Sequence, residues 1–403
     1  MLNKYKNIIY TIAFMDLFAI GLITPLFGTH LRGLGASNFL IGIIASSYSG
    51  IQVISGPLIG SWSDVRDRKV VLMISLLFCA VCYLSLGIFS SIFCIFLIRL
   101  LLGFMKHTQS ICKAMVSDLF PPDKHSELLS RTAVLGTIGF NIGPLFGGFI
   151  SELSNGFTLV CTLTFILFLM NIFLASLLPS FKKRHEKGDE LQVKSLGIKQ
   201  ELLKIGANIK NIDWPQSWHL FAMRFLSSIA TALFFYNQTF YMKEFFNLSQ
   251  RHIGYVITFS GTIQTITVYS LSYLNQMFYK NEPDGVKCIS HFFLLMSIAS
   301  LLLCFANQFT YFLICIIPFV ISSSVLRIST TQIVLEKCDK DKIGTYGGVS
   351  YSFVSIAKFI VPTLSGIVSD SFSNQASIVL SFIPAITGVI LTSTILKKKN
   401  KEL

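Results

Sequence analysis

Residues 60–69 read GSWSDVRDRK, a short charged run that separates two long apolar segments, near 38–60 and 70–90. Each neighbouring segment is long enough to cross a bilayer, which takes about 20 residues of α-helix. Ten further apolar segments of this kind lie near 8–28, 92–114, 132–151, 158–179, 216–239, 252–275, 287–306, 309–332, 344–368 and 376–396. Because lipid offers the backbone no hydrogen-bond partner, we predict that all twelve are transmembrane α-helices.

The composition excludes an ordinary soluble enzyme. Of the 403 residues, 52% are hydrophobic and 13% are charged, half the ~25% that soluble domains carry. The net charge of +13 would suggest nucleic acid as a partner of a soluble protein, but the basic residues lie mostly between the apolar segments. We therefore interpret the charge as a topological signal and expect a lipid bilayer, not nucleic acid, as the partner.

The distribution of Lys and Arg predicts the orientation. With the N-terminus inside, the outer loops hold three basic residues, Arg32, Lys243 and Arg251, and most of the others lie in inner segments. Basic residues stay on the cytoplasmic side, so both termini of this multi-pass protein are predicted to be cytoplasmic. Asn247 begins a glycosylation sequon in a short predicted outer loop, and its occupancy stays open.

A basic linker, residues 181–215, divides the chain into predicted six-helix bundles at 1–180 and 216–403. The two halves resemble each other at an offset of 218 residues. At that offset Pro144, Gly148, Ser151 and Glu152 correspond to Pro362, Gly366, Ser369 and Asp370. Parallel six-helix repeats are typical of secondary transporters that rock around a midplane site. The predicted fold class is therefore all-α, with two pseudo-symmetric bundles around a central cavity.

The opening stretch resembles the major facilitator superfamily motif G-x-x-x-D-R-x-G-R-[RK]. Gly60, Asp64, Arg68 and Lys69 match the motif, and Val65 and Asp67 stand where the motif has arginine and glycine. The resemblance implies the major facilitator fold and a charge network that clamps the bundles in one transport state. A carboxylate at a helix end can also pair with cations and with a helix N-terminus.

Three further motifs are similar to those of the same family. Arg99-x-x-x-Gly103 resembles its R-x-x-x-G, and Asp118 begins an acidic turn that ends in proline. The fifth segment resembles the motif of proton-coupled antiporters through Gly139, Gly143, Pro144 and Gly147. Within the family, the stretches at 15–18 (MDLF), 34–37 (LGAS), 62–65 (WSDV) and 106–108 (KHT) resemble the branch called major facilitator superfamily domain-containing protein 9. That branch is itself similar to the tetracycline and multidrug efflux group.

Charged residues inside the apolar segments are the candidate functional residues. Asp16 is the acidic one, and Arg99, Lys106, Arg224 and Lys358 are basic. A charge at the bilayer centre costs at least ~2.5 kcal/mol, so each should face a cavity or a partner. Counting from the predicted outer ends, Asp16 and Arg99 differ in depth by about 7–8 Å. We predict that they pair, either as a proton-coupling device or as a permanent structural ion pair.

The fourth predicted helix carries a polar stripe. Arg99, Gly103, Lys106, Ser110 and Lys113 follow steps of 4, 3, 4 and 3, which place them on one face of a continuous helix. Together with the basic residues of the second half, this stripe would make the cavity positive and favour an anionic solute. Alternatively, its lysines extend to the inner headgroups. Polar side chains that add hydrogen bonds, in the cavity or between helices, are Gln52, Asn141 and Tyr236.

These features favour a secondary active transporter of a small organic solute, coupled to protons and working by alternating access. No phosphate-binding G-x-x-x-x-G-K-[ST] sequence occurs, so a gradient is the expected energy source. We expect a monomer that has no enzymatic activity and binds no cofactor or metal. Two alternatives stay open, a facilitated uniporter and a transporter-like receptor or scaffold without flux. Symport and antiport are equally compatible with the sequence.

Overall fold

A computed structural model describes residues 2–180, 212–280, 285–338 and 343–402. The helices of the first half are α1 (Leu2–Gly33), α2 (Asn38–Val65), α3 (Arg68–Ile88), α4 (Ile92–Met105), α5 (Thr108–Leu119), α6 (Pro122–Ser151) and α7 (Gly156–Ser176). Those of the second half are α8 (Trp214–Phe245), α9 (Gln250–Phe278), α10 (Val286–Cys304), α11 (Phe309–Glu336), α12 (Ile343–Ser371), α13 (Asn374–Val379) and α14 (Phe382–Glu402). The predicted all-α membrane fold is confirmed. The predicted linker at 181–215 lies outside the described residues up to position 211.

Eleven spans within the described ranges are long and apolar enough to cross a membrane. Helices α4 and α5 count as one of these spans, and α13 and α14 lie mostly within another. The remaining predicted span corresponds to α9, a helix of 29 residues. Its polar side chains make it less apolar than the eleven spans. At 1.5 Å per residue, α9 is about 43 Å long, which exceeds the thickness of the hydrocarbon core.

The fourth predicted helix is broken in the structure. Lys106 ends α4 with φ −80° and ψ 73°, and His107 precedes α5 with φ −124° and ψ 21°. The Lys106 N–H still donates to the Leu102 main-chain oxygen at 2.9 Å, but the His107 N–H donates to that of Met105, also at 2.9 Å. The α-helical hydrogen-bond ladder therefore breaks at His107, and the polar stripe does not lie along one continuous helix face. The prediction of a single-faced stripe from Arg99 to Lys113 is wrong for this reason.

The described chain forms two compact units. Unit 1 comprises Met1–Ala36, Ser47–Lys204 and Ser249–Thr258, and unit 2 comprises Ser37–Ser46, Ile205–Leu248 and Phe259–Leu403. In unit 1, α1 packs on α6 and α7, and α3 packs on α7. In unit 2, α8 packs on α12 and α14, and α10 packs on α14. The same order of helix pairs in both units is the pattern that a parallel repeat produces.

Glycines of α6 hold it against α1 inside unit 1. A Cβ atom added to Gly143 would lie 2.6 Å from a main-chain oxygen of α1, and one added to Gly139 or Gly147 would lie closer still. The oxygens concerned belong to Phe14, Phe18 and Leu22. Small residues four apart let two membrane helices approach closely, so this stripe fixes the position of α1 and of the carboxylate it carries.

Candidate functional site

The most buried charge in unit 1 is Asp16 on α1. Its carboxylate forms an ion pair with the ammonium of Lys106, and the two residues are 0% and 6% exposed. Gln109 Nε2 on α5 donates to the second carboxylate oxygen at 3.1 Å and to the main-chain oxygen of Ala13, also at 3.1 Å. The Lys106 ammonium also lies 4.9 Å from the ring centre of Phe168. Removing one partner of such a pair leaves an uncompensated buried charge.

The break between α4 and α5 positions Lys106 for this contact. Gln52 on α2 donates through Nε2 to the Lys106 main-chain oxygen at 2.9 Å. Ser55, also on α2, lies 2.8 Å from Nε2 of His107 and donates to the main-chain oxygen of Gly103 at 3.2 Å. Irregular backbone within a membrane is tolerated where other protein groups form hydrogen bonds with its N–H and C=O groups. Here the side chains of α2 provide those hydrogen bonds.

Arg99 does not pair with Asp16, so that prediction is wrong. Its guanidinium carbon lies 4.0 Å from the ring centre of Phe27 and 4.6 Å from that of Tyr48. These aromatic faces stabilise the cation by a cation–π interaction. In the described part of the chain, its buried Nε has no hydrogen-bond partner. The place predicted for Arg99 is taken by Lys106, because the break in the helix directs that side chain to α1.

Gly103 of the conformational motif and two further predicted path residues, Asn141 and Tyr236, lie in different units. Gly103 of unit 1 packs on α2, where an added Cβ would lie 2.7 Å from the main-chain oxygen of Tyr48. The main-chain oxygen of Asn141 accepts a hydrogen bond from Thr258 at 2.9 Å, also within unit 1. Tyr236 belongs to unit 2, and its ring centre lies 6.0 Å from that of Phe240.

The charged stretch at 60–69 joins several helix ends of unit 1. Arg68 forms ion pairs with Asp64 at 2.7 Å and with Asp118 at the end of α5. Asp67 accepts a hydrogen bond from the Lys69 main-chain nitrogen at 2.9 Å and so caps the N-terminus of α3. Asp67, one of the two residues that depart from the family motif, therefore has a capping role.

Lys69 binds the C-terminal end of α7 in the same unit. Its ammonium donates to the main-chain oxygens of Ser176 at 2.6 Å and of Leu178 at 2.8 Å, where α7 ends. A cation at a helix C-terminus satisfies the free carbonyls and interacts favourably with the helix dipole. Gly60 borders open space, since an added Cβ would meet no atom within 4 Å.

Three basic side chains lie among the helices of unit 2, and we call them the cationic cluster: Arg224 on α8, Arg327 on α11 and Lys358 on α12. Arg224 is 5% exposed and donates to the main-chain oxygen of Arg327 at 2.7 Å and to Thr330 Oγ1 at 3.4 Å. Lys358 lies within electrostatic range of both arginine side chains. Arg327 emerged as part of this group only from the structure.

Acidic residues cap a helix start in each unit at positions related by the 218-residue offset. In unit 2, the main-chain nitrogens of Asn38 and Phe39 donate to Asp370 at 3.1 and 2.8 Å. In unit 1, the main-chain nitrogen of Arg251 donates to Glu152 at 3.4 Å. Each carboxylate faces the first turn of α2 or α9, where unpaired N–H groups and the helix dipole favour negative charge. Glu152 and Asp370, which correspond to each other in the internal repeat, therefore make equivalent contacts in the two units.

Eleven membrane-length helices in the described ranges, with a charge pair buried among them, define a multi-pass membrane protein. The sequence pattern of the family described as Major Facilitator Superfamily matches residues 9–281 and 220–403. The chain belongs to this superfamily. Its members act as transporters rather than as enzymes, so the predicted transport class is confirmed.

Individual relatives agree with this assignment. The chain is 30% identical to tetracycline resistance protein class H of Pasteurella multocida over 156 residues, 38% of this chain and 39% of that protein's length. It is 24% identical to multidrug resistance protein 1 of Bacillus subtilis (strain 168), over 91% of this chain and 90% of that protein. The crystal structure of the human organic anion transporter MFSD10 superposes with a TM-score of 0.66 and 18% identity, covering 97% of this chain and 99% of the other.

Proposed function

We propose that this protein is a secondary active transporter that moves a small organic solute by alternating access and couples the movement to protons. It acts as a monomer with both termini in the cytoplasm. Asp16 is the group that takes up and releases the proton. The observation that carries the proposal is the fully buried Asp16–Lys106 ion pair at the break between α4 and α5.

The pair links proton binding to a change in unit 1. When Asp16 is ionised, it neutralises Lys106 and holds the end of α4 against α1. When Asp16 binds a proton, Lys106 becomes a buried cation without a partner, which is costly in a low-dielectric interior. The side chain then has to move or to bind another anion. Because the backbone beside Lys106 is already non-helical, it can rearrange without breaking a regular helix.

The neighbouring contacts fit this role. Gln109 stays beside the carboxylate and can donate to it in either protonation state, so the side chain keeps one partner during the exchange. The glycine stripe of α6 holds α1 in place, so a local change at Lys106 is passed to α4 and α5. The ion pairs of Arg68 with Asp64 and Asp118 connect the end of α5 to the start of α3.

Purified protein in liposomes tests the proposal. With an imposed pH gradient, we expect accumulation of at least one member of a panel that contains carboxyfluorescein, phenyl phosphate and ethidium. Flux that ignores the gradient would indicate a uniporter, and absence of flux for a broad panel would indicate a receptor or scaffold.

Two matched variants then assign the proton. Asp16→Asn that still exchanges labelled for unlabelled solute, and is therefore folded although Lys106 has lost its counter-charge, should show no gradient-driven accumulation. Asp123→Asn, which removes an exposed carboxylate from the first turn of α6, should leave accumulation intact. Accumulation by Asp16→Asn equal to that of the unmodified protein would remove Asp16 from the mechanism.

A further inference from the structure

The cationic cluster of unit 2 holds positive charge without a compensating acid. Among the residues that the structure describes, none of Arg224, Arg327 and Lys358 forms an ion pair. This differs from unit 1, where Asp16 neutralises Lys106. A chain does not gain stability from three uncompensated cations at membrane depth, because each costs at least ~2.5 kcal/mol near the bilayer centre.

The three side chains start from similar depths in the membrane. Arg224 lies ten residues after the start of α8, about 15 Å along the helix, and Arg327 lies nine residues before the end of α11, about 14 Å. Lys358 lies fifteen residues after the start of α12, about 22 Å. These helix ends share the predicted inner side, and α8, α11 and α12 pack on one another. Lys358 lies deepest of the three, about 7 Å further along its helix than the arginines, so an extension to the headgroups explains its charge least.

The arrangement leaves donors available to a ligand. Arg224 is held by two hydrogen bonds from one nitrogen, and its buried Nε has no partner among the described residues. Arg327 and Lys358 are exposed, so their donors are accessible to a ligand. Guanidinium groups match the oxygens of phosphate and carboxylate in a fork, and an ammonium adds a point charge.

Aromatic rings on two of the same helices, α8 and α12, provide an apolar surface. Phe353 on α12 lies 5.7 Å from Phe221 and 5.6 Å from Phe225 of α8, measured between ring centres. The phenol of Tyr351 lies within electrostatic range of Arg224. Such rings suit an apolar or aromatic body attached to the anionic group.

From this charge, depth and chemistry, we infer that Arg224, Arg327 and Lys358 bind the doubly charged oxyanion group of the transported solute, a phosphate monoester on an apolar or aromatic body. The inference rests on the proposed transport function and specifies its substrate class. A bound dianion would neutralise two of the three positive charges and leave the cationic cluster with one net positive charge, which still favours anions over cations.

Binding to purified protein in phosphatidylcholine nanodiscs tests the site independently of transport. We expect phenyl phosphate to bind, inorganic phosphate to compete with it, and benzyltrimethylammonium to have no effect. Arg327→Gln and Lys358→Gln should each raise the Kd for phenyl phosphate by about tenfold or more, because each removes a charge-assisted hydrogen bond. Lys358→Arg should keep most of the affinity. Arg131→Gln, which removes an exposed arginine paired with Glu127 in unit 1, should leave the Kd unchanged.

The outcomes separate this inference from the proposed function. Unchanged phenyl phosphate affinity in well-folded Arg327→Gln and Lys358→Gln, or preference for the cation, would overturn the site while flux in liposomes still supports a transporter. Nanodiscs that contain phosphatidic acid distinguish a lipid headgroup as the ligand. Displacement of phenyl phosphate by phosphatidic acid but not by inorganic phosphate would assign the cluster to lipid and overturn its role in solute binding.

Discussion

Replacing Lys106 by methionine should strongly destabilise unit 1, because it leaves the Asp16 carboxylate buried without its cation. Both side chains are almost completely buried, at 4% and 0% exposure. Breaking a buried ion pair by removing one partner costs about 3–5 kcal/mol. Replacing both partners with neutral residues of similar size is close to neutral. The double variant Asp16→Asn/Lys106→Met should therefore recover most of the stability lost in Lys106→Met.

Thermal unfolding of purified protein, followed by tryptophan fluorescence and by the monodisperse fraction, measures this effect. The control is Arg131→Gln, which breaks an ion pair with Glu127 whose side chains are 59% and 57% exposed. Exposed pairs of this spacing contribute about 0.3–0.5 kcal/mol. The reasoning is refuted if Lys106→Met lowers the Tm no more than the control does, or if the double variant loses as much stability as the two single variants combined.

Three further predictions concern other parts of the chain. Gly147→Ala should lower stability by about 1–3 kcal/mol, because its methyl group would overlap a main-chain oxygen of α1; Gly348→Ala, with open space around its Cβ, should not. Arg68→Gln should reduce transport about tenfold by breaking two ion pairs worth about 1–2 kcal/mol together, whereas exposed Arg66→Gln should not. The Ser249 hydroxyl holds the pKa of Glu152 below its ordinary value of 4.5, so the cap on α9 should be complete above that value and lost as the pH falls through the lowered pKa.

Each of these predictions has a direct measurement. Thermal unfolding compares the two glycine variants, and equal Tm values would contradict the close contact between α6 and α1. Liposome flux compares the two arginine variants, and equal rates would contradict a role for the Arg68 network. Hydrogen exchange of the Arg251 main-chain amide, corrected for its intrinsic rate, measures how well Glu152 caps α9. Its protection should fall as the pH drops through the lowered pKa of Glu152. Protection that does not change with pH, or that changes equally in Glu152→Gln, would contradict the contribution of the carboxylate.

The sequence alone predicts the membrane helices because lipid imposes a strict condition on the backbone. Twelve apolar segments of sufficient length admit only helices, and the charged stretch at 60–69 marks the family within that class. Capping by Asp67 was missed, although an aspartate directly before a helix start is a recognised signal. The signal was obscured because the family motif has glycine at this position.

The partner of Asp16 was predicted wrongly because a helix end was misplaced. The sequence places the end of the first helix near residue 28, whereas α1 continues to Gly33. From that end, Asp16 lies 17 residues deep, about 26 Å. Lys106 lies 14 residues and Arg99 seven residues after the start of α4, which is about 21 and 10 Å. The corrected depth favours Lys106, and the helix break, which periodicity does not predict, completes the contact.

The central claim is that protonation of Asp16 couples solute movement to the pH gradient. The most direct measurement follows the change of internal pH in liposomes with a trapped pH-sensitive dye, driven by a gradient of the panel member that shows the highest flux. The unmodified protein should move protons across the membrane, in or out, whenever the solute moves, and Asp16→Asn should exchange labelled for unlabelled solute without moving protons. Solute-driven proton movement in Asp16→Asn at the rate of the unmodified protein would contradict the account.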